Sequence, residues 1–150
     1  MLRYEVLILV TPDVTQDEAA SLEKHIAALV KNAKADLISY ERWGKYRLAY
    51  PVNGKEYGVY YLVRFAAAAD QKTELIVHIK DALQVKFNTI VMRHMIHQLG
   101  NSQSLEYSRP QSLEEIPQDA DSFLKDNPAL MSRQHAAKDV VEEVDHGQEN

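Results

Sequence analysis

The amino-acid sequence predicts an α+β domain in which two helices pack on one face of a four-stranded antiparallel sheet, followed by an acidic tail. Apolar residues alternate with period two in four segments and recur every three or four residues in two others. These segments run in the order strand, helix, strand, strand, helix, strand, for which right-handed crossovers put both helices on the same face. The acidic residues are concentrated in the last third of the chain.

The first strand and the first helix have the clearest patterns. Residues 2–10 alternate with a β-branched bias, which is typical of a strand. Thr15 and Glu18 have the spacing of a capping box, in which each side chain accepts a hydrogen bond from the other residue's amide. They predict a helix over residues 16–32. Its apolar stripe recurs at helical spacing and consists of Leu22, Ile26, Leu29, Val30 and Ala33.

A β-hairpin is predicted after this helix. Residues 37–51 are rich in aromatic and β-branched side chains and lack helical periodicity, and Gly44 is expected to form a bulge. Asn53 and Gly54 are a typical two-residue turn signal. Residues 59–65 then supply the returning strand.

The second crossover is shorter. Asp70 is the expected N-cap of a helix over residues 71–83, and alternation over residues 87–95 predicts the last strand. Beyond it the chain is polar, acidic and interrupted by prolines. Residues 1–99 are therefore expected to form one domain and residues 100–150 an acidic, largely disordered tail. With both helices on one face, the other face of the sheet is expected to stay open.

The hydrophobic core is expected on the inward side of these elements. Truncating a buried Ile or Leu to Ala typically costs about 2–5 kcal/mol, so changes there should act through folding. The expected core residues are Tyr4, Val6, Ile8, Ile26, Leu29, Val30, Leu37, Val63, Leu75, Ile79 and Val91.

Composition limits the functional classes. The absence of cysteine excludes disulfides, thiolate zinc sites and cysteine nucleophiles, and it fits the cytoplasm. The apolar run over residues 6–10 is far shorter than the roughly 20 residues of a membrane helix, and no signal-peptide pattern accompanies it. The histidines lack the spacing of a metal site or catalytic triad, and no glycine-rich phosphate loop is present. These patterns give no support to nucleotide hydrolysis, and we expect no cofactor, no metal and no membrane contact.

Charge divides the chain after Gly100. Residues 1–100 carry 13 Lys and Arg against 11 Asp and Glu, a net charge of +2, whereas residues 101–150 carry 4 against 11, a net charge of −7. Cations and aromatics crowd the hairpin stretch ERWGKYRLAYPV. Such cations can neutralise phosphates and such aromatics can stack on bases, but Lys and Arg also protect sheet edges from unwanted pairing. Composition alone slightly favours the edge-protection interpretation.

Two motifs resemble a known family. The opening MLRYEVLILVTPD and the later WGKYRLAYPV, in this order around the capped helix, resemble the bacterial small-subunit ribosomal protein S-six family over about residues 1–99. The resemblance implies a ferredoxin-like βαββαβ sandwich without enzymatic activity that binds the central domain of small-subunit ribosomal RNA, in the cytoplasm. It also implies a heterodimer with the small basic ribosomal protein S-eighteen and a role in platform assembly. A basic partner suits a domain of charge +2, whose attraction for phosphate is modest.

The resemblance also assigns functional residues. The opening strand, the hairpin and the last strand carry positions that are usually basic or polar in the family and face RNA or a partner. Tyr46 stands where a second cation is common, so phosphate contact is expected to extend to neighbouring cations. The expected RNA-binding residues are Arg3, Arg42, Lys45, Tyr46, Arg47, Lys55 and Arg93. The aromatics crowded near the open face, Trp43, Tyr50 and Tyr60, are expected to contact the partner protein.

Functions of other classes remain open at this point. Sandwiches of this class host many unrelated activities, so a small-molecule-binding or enzymatic domain is one alternative. That alternative needs a pocket between helices and sheet, lined by His78 or His94 with a perturbed carboxylate. A homodimeric module that buries the open face against a second copy is another. Only the ribosomal interpretation predicts a one-to-one heterodimer that retains RNA.

Overall fold

The computed structural model describes residues 1–100 and 103–115. Its sheet is antiparallel with the strand order β2-β3-β1-β4, which confirms the predicted α+β, ferredoxin-like βαββαβ class. The second helix continues into a π-helical turn before the last strand. The elements are β1 Leu2–Val10, α1 Gln16–Asn32, β2 Asp36–Val52, β3 Lys55–Ala67, α2 Lys72–Asp81, the π-helical turn Ala82–Lys86, and β4 Val91–Leu99.

The start of α1 confirms the predicted capping box. The Glu18 amide donates to the Thr15 hydroxyl at 3.2 Å, and the Thr15 amide donates to the Glu18 carboxylate at 2.9 Å. The backbone hydrogen bond from Thr15 lowers the pKa of Glu18. Because both ends of the box are satisfied, the helix begins at the residue that the sequence indicated.

The hairpin also forms as predicted. Gly44 has a φ of +110°, and the pairing register between β2 and β3 shifts between Arg42 and Gly44, so a bulge lies there. Asn53 and Gly54 both have positive φ, at 48° and 73°, between the paired residues at the two strand ends. Two positive φ values in a two-residue loop match the right-handed twist of the flanking strands.

The second crossover differs from the prediction at two points. Asp70 is not the N-cap of α2; Gln71 occupies that position, and its side chain makes no capping hydrogen bond. The last strand begins at Val91, because the chain first makes a wide turn in which the Phe87 amide donates to the Ala82 carbonyl at 2.9 Å. Phe87 is buried within that turn, so its apolar character reflects packing against the helices rather than strand alternation.

The core lies between the sheet and the two helices, and most of its predicted members are buried. Leu29 lies at the margin of the core. The prediction for Leu37 is wrong, because its side chain is 40% exposed. A register irregularity between Leu37 and Ser39 interrupts the alternation there. The confirmed core residues are Tyr4, Val6, Ile8, Ile26, Val30, Val63, Leu75, Ile79 and Val91.

The opposite face of the sheet is not left open along its whole length. Residues 103–114 lie against part of it, within one compact unit that runs from Met1 to Glu114. This segment has no helix or strand of its own and is held by side-chain contacts. The expected disorder of residues 116–150 concerns a part of the chain that lies outside the described residues.

Candidate nucleic-acid and protein interface

The sheet face opposite the helices has two halves, which we name by what lies on them. Residues 103–114, the strap, cover the strapped half. The other half is a shallow cavity of about 290 Å³, which we call the groove. The groove is lined by Leu7, Leu9, Leu48, Ala49, Tyr50, Val52, Tyr60, Arg93, His94 and Met95.

Arg3 holds the beginning of the strap. Its guanidinium donates to the carbonyls of Gly100 at 2.7 Å and Gln103 at 3.1 Å, which ties the end of β4 to the strap. The resemblance implied that this residue contacts RNA. In this structure the Arg3 guanidinium instead binds backbone carbonyls of its own chain.

A polar network lies beneath the middle of the strap. Arg64 and Glu5 form an ion pair at 3.2 Å on the sheet face that the strap covers, and both side chains are buried. Glu41 contacts the same guanidinium at 3.3 Å. From the strap, the Tyr107 hydroxyl donates to Glu5 at 2.9 Å, and this bond raises the pKa of Tyr107. The Tyr107 ring centroid lies 4.8 Å from the Arg64 guanidinium carbon and 5.9 Å from the Trp43 ring.

The strap then follows the bulged part of β2 through hydrogen bonds that are accepted by backbone carbonyls. The Arg109 guanidinium donates to the Trp43 carbonyl at 2.8 Å, and the Tyr46 hydroxyl donates to the Pro110 carbonyl at 2.7 Å. The Leu113 amide donates to the Lys45 carbonyl at 2.9 Å. The strap is thereby aligned with the sheet edge.

Two side-chain contacts fix the end of the strap. Ser112 is buried in a notch above Gly44, where a Cβ atom on the glycine would lie 2.6 Å from the Ser112 Cβ. Glu114 accepts two hydrogen bonds from the Arg42 guanidinium, at 2.5 and 2.7 Å. These bonds lower the pKa of Glu114 and raise that of Arg42. The missing glycine side chain is therefore what lets the strap pass close to the bulge.

The groove is closed at one end by a contact between opposite edges of the sheet. The Arg93 guanidinium donates to the Tyr50 hydroxyl at 2.7 Å and lies 5.4 Å from the centre of that ring. Since β2 and β4 are the two edge strands, the end of the hairpin must curl over the sheet to make this contact. Tyr50 is 58% exposed and Met95 60% exposed. The groove thus presents apolar side chains to solvent beside one cation.

The remaining predicted cations lie along the hairpin. The Lys45 ammonium lies 5.6 Å from the centre of the Tyr57 ring, and Lys55 pairs with Asp13 at 2.7 Å. Arg47 is exposed, and its side chain makes no hydrogen bond or ion pair with the part of the chain that the structure describes. The predicted site residues therefore lie in four places. Arg42, Trp43 and Tyr46 lie under the strap, and Arg3 lies at its start. Tyr50, Tyr60 and Arg93 lie in the groove, and Lys45, Arg47 and Lys55 lie on the hairpin.

The helix face carries a separate cleft of about 890 Å³ between α1 and α2. His25 lies at its rim, 3.1 Å from the Lys86 ammonium, and burial lowers the pKa of His25. His78 lines the cleft, whereas His94 lies outside it, on β4 opposite Ile8. Within residues 1–100 and 103–115, no three His, Asp or Glu side chains converge as a metal site requires. No helix in that described part is long and apolar enough to cross a membrane.

Comparison with known proteins decides the family. The family model described as Ribosomal protein S6 matches residues 3–98. This chain belongs to the ribosomal protein S6 family. It is 32% identical over 100 residues to small ribosomal subunit protein bS6 of Desulforamulus reducens, covering 67% of this chain and 99% of that protein. It is 39% identical over 92 residues to the same protein of Desulfitobacterium hafniense, covering 59% of this chain and 95% of that protein.

A solved structure supports the fold. The crystal structure of 30S ribosomal protein S6 from Thermotoga maritima matches with a TM-score of 0.56 at 16% identity, covering 65% of this chain and 87% of that chain. Membership of the S6 family confirms the resemblance in the two motifs and makes the chain a small-subunit ribosomal protein of the cytoplasm. RNA binding is expected of such a protein.

Sequence reasoning missed the strap residues, because they lie in a polar, proline-containing stretch that is typical of disorder. Tyr107, Ser112 and Glu114 each find a partner in the folded domain. One signal was available in the strands: Glu5 and Arg64 interrupt otherwise apolar runs. Buried charges need partners and cover, so this pair indicated that something lies on that face.

Proposed function

We propose that this S6 protein binds the central domain of small-subunit ribosomal RNA together with ribosomal protein S-eighteen, as a heterodimer, and supports assembly of the platform. The observation that carries the RNA part of this proposal is the exposed cationic edge of the hairpin, with Arg47 at its centre. Membership of a ribosomal protein family supports it.

The hairpin cations suit phosphate. Arg47 is exposed, and a guanidinium offers parallel donors that match two phosphate oxygens. Its neighbour Lys45 lies over the Tyr57 ring, and within the described residues its ammonium makes no hydrogen bond or ion pair. The ion pair between Lys55 and Asp13 is solvent-exposed, and such pairs contribute about 0–1 kcal/mol. RNA phosphate can therefore replace Asp13 at little cost.

The groove suits the partner protein. Its apolar side chains, including Met95 and Tyr50, are exposed beside the Arg93 guanidinium, and contiguous exposed apolar surface is typical of protein-binding sites. Residues 101–150 add a net charge of −7, which complements a small basic protein. We therefore assign Tyr50 and Tyr60 to the partner interface. Trp43, the third aromatic predicted for this role, lies under the strap.

A salt titration of RNA affinity tests the RNA contact. Arg47→Ala should weaken binding to a central-domain RNA fragment and flatten the dependence of log K on log salt by about 0.7–0.9, because one phosphate contact is lost. Lys24→Ala is the matched control, since it removes one exposed cation from α1. An unchanged slope and affinity for Arg47→Ala, or an equal loss for Lys24→Ala, would remove Arg47 from the site.

Sedimentation with and without S-eighteen tests the partner contact. Met95→Glu should weaken the one-to-one complex, because it puts a carboxylate in the apolar groove. Val77→Glu places the same group on the helix face, where Val77 is 49% exposed, and should leave the complex intact. A chain that self-associates through the groove and ignores S-eighteen would instead be a homodimeric module.

A further inference from the structure

The contacts of the strap resemble those of a single-stranded nucleic acid. We propose that Arg42, Trp43 and Tyr46 form a second RNA-binding surface, and that the strap is its competing occupant, so that single-stranded RNA binds there only when the strap is released. This inference rests on the proposed RNA-binding function and adds a regulated surface to the hairpin cations.

The first argument is the anion that the strap supplies. Glu114 places two carboxylate oxygens on the Arg42 guanidinium at 2.5 and 2.7 Å, the two-pronged geometry that phosphate also adopts. Both side chains remain partly exposed, so solvent screens the pair and it is readily exchanged. A backbone phosphate of RNA can take the place of this carboxylate.

The second argument is the aromatic ring that the strap supplies. Tyr107 lies 5.9 Å from the Trp43 ring and 4.8 Å from the Arg64 guanidinium carbon. Aromatic and guanidinium planes are the surfaces on which proteins stack unpaired bases of RNA. Tyr46 extends the same surface, and its ring centroid lies 5.8 Å from that of Tyr60 in an edge-to-face arrangement. A base can therefore replace the Tyr107 ring.

The third argument is that two buried hydrogen-bond donors beneath the strap have no acceptor. The Trp43 indole N–H and one terminal nitrogen of Arg64 are buried and find no hydrogen-bond acceptor among the described residues. Arg64 is only 4% exposed. A buried donor without an acceptor is destabilising, and most such donors in folded proteins are paired. Base carbonyls and ribose hydroxyls are acceptors that the strap does not provide at these two positions.

Charge sets where the phosphate goes. Glu5 and Glu41 both face Arg64 and neutralise it, so the middle of the surface repels a phosphate. Arg42 and Lys45 lie at the edge of the sheet, where phosphate is favoured. The surface thus holds a base over Trp43 and a phosphate at Arg42, in the places of Tyr107 and Glu114.

Fluorescence anisotropy with a labelled single-stranded oligouridylate tests this on the full chain. Glu114→Gln should raise RNA affinity by roughly three- to tenfold, because a strap that is docked most of the time reduces the competent fraction by that factor. Glu106→Gln is the matched control: it removes the same charge from an exposed strap residue without a side-chain contact among the described residues, and should leave affinity unchanged. Ser112→Leu, too large for the notch above Gly44, should reproduce the gain by forcing the strap off.

Trp43 provides an independent readout, because it is the single tryptophan of the chain and contacts the strap. A change in Trp43 emission in Ser112→Leu without any gain in RNA affinity would overturn the competition. So would tighter binding of S-eighteen, rather than RNA, to that variant. Loss of the gain on adding Arg42→Ala would support it.

The hairpin variant separates this inference from the proposed function. If Arg47→Ala leaves RNA affinity unchanged while Ser112→Leu still raises it, the hairpin proposal fails and the strapped surface stands. If Arg47→Ala weakens RNA binding and Ser112→Leu has no effect on affinity, the reverse holds.

Discussion

The two halves of the sheet face opposite the helices are built from the same strands, yet they differ in polarity and in what covers them. The strapped half carries a buried ion pair, Glu5 with Arg64, and the chain covers it with its own residues 103–114. The groove is apolar, and no described residue covers it. If burial of apolar surface alone decided where the strap lies, the strap would cover the groove.

The difference teaches that polar geometry, rather than apolar area, positions the strap. Tyr107 and Glu114 are both held by charged residues of the sheet, Glu5 and Arg42. Among the described residues that line the groove, Arg93 is the one Lys or Arg, and the hairpin already engages it. Its apolar surface therefore remains available to a second protein, whereas the strapped half is available only when the strap leaves.

The largest effect is expected at the centre of the strapped half. Arg64→Ala should lower the free energy of unfolding by about 3–5 kcal/mol, because it leaves Glu5 buried without its partner. Arg93→Ala, which removes an exposed cation from the groove, should change it by no more than about 0.5 kcal/mol. Urea denaturation measures both. Equal losses would show that the two halves do not differ in this way.

A smaller effect is expected on the floor of the groove. Leu9 is buried, and Leu9→Ala should cost about 2–3 kcal/mol through lost apolar contacts and the cavity left behind. Trp43 emission should not change, because this substitution does not touch the strap. A shift in Trp43 emission of the folded variant, at urea concentrations below its unfolding transition, would mean that the two halves are coupled.

Two tyrosines allow a matched comparison of single hydroxyl groups. Tyr46→Phe removes a hydrogen bond to the strap at Pro110 and should cost about 1 kcal/mol. Tyr50→Phe removes the exposed acceptor of Arg93 and should cost no more than about 0.5 kcal/mol. Only Tyr46→Phe should alter Trp43 emission. The opposite order of losses would contradict the role assigned to the strap.

The smallest effect is a pH dependence of strap docking. Arg42 lowers the pKa of Glu114 in the docked state below its ordinary value of 4.5, so docking is favoured by the carboxylate form. That contribution is complete above pH 4.5 and is lost as the pH falls through the lowered pKa. Trp43 emission should report this release during acid titration. Glu114→Gln should remove the transition, and its persistence in that variant would assign it to another group.

Much of the fold was predictable because its signals are local. Thr15 and Glu18 fix the start of α1 through contacts three residues apart, and Asn53 with Gly54 fixes the hairpin turn through backbone conformation alone. The start of β4 was not predictable in this way. Phe87 owes its burial to packing against the helices, which alternation cannot distinguish from a strand.

The candidate site was predictable only in part. Arg47 is exposed on the hairpin, as expected for an RNA contact. Arg42, Trp43 and Tyr46 were assigned to RNA or partner, but in the folded chain they contact the strap. Their partners lie more than sixty residues away in a stretch of polar composition, and no local pattern reports such a contact.

The sequence by itself determined the order of the elements, the capped helix, the hairpin turn, the bulge glycine and the family. Each of these depends on interactions within a few residues or on a motif read directly along the chain. Only the tertiary structure decided which cations contact the strap, that Glu5 and Arg64 meet beneath Tyr107, and that the strap covers half of this sheet face. Those outcomes depend on residues distant in sequence being brought together, because ion pairs and ring contacts act over a few ångströms in space.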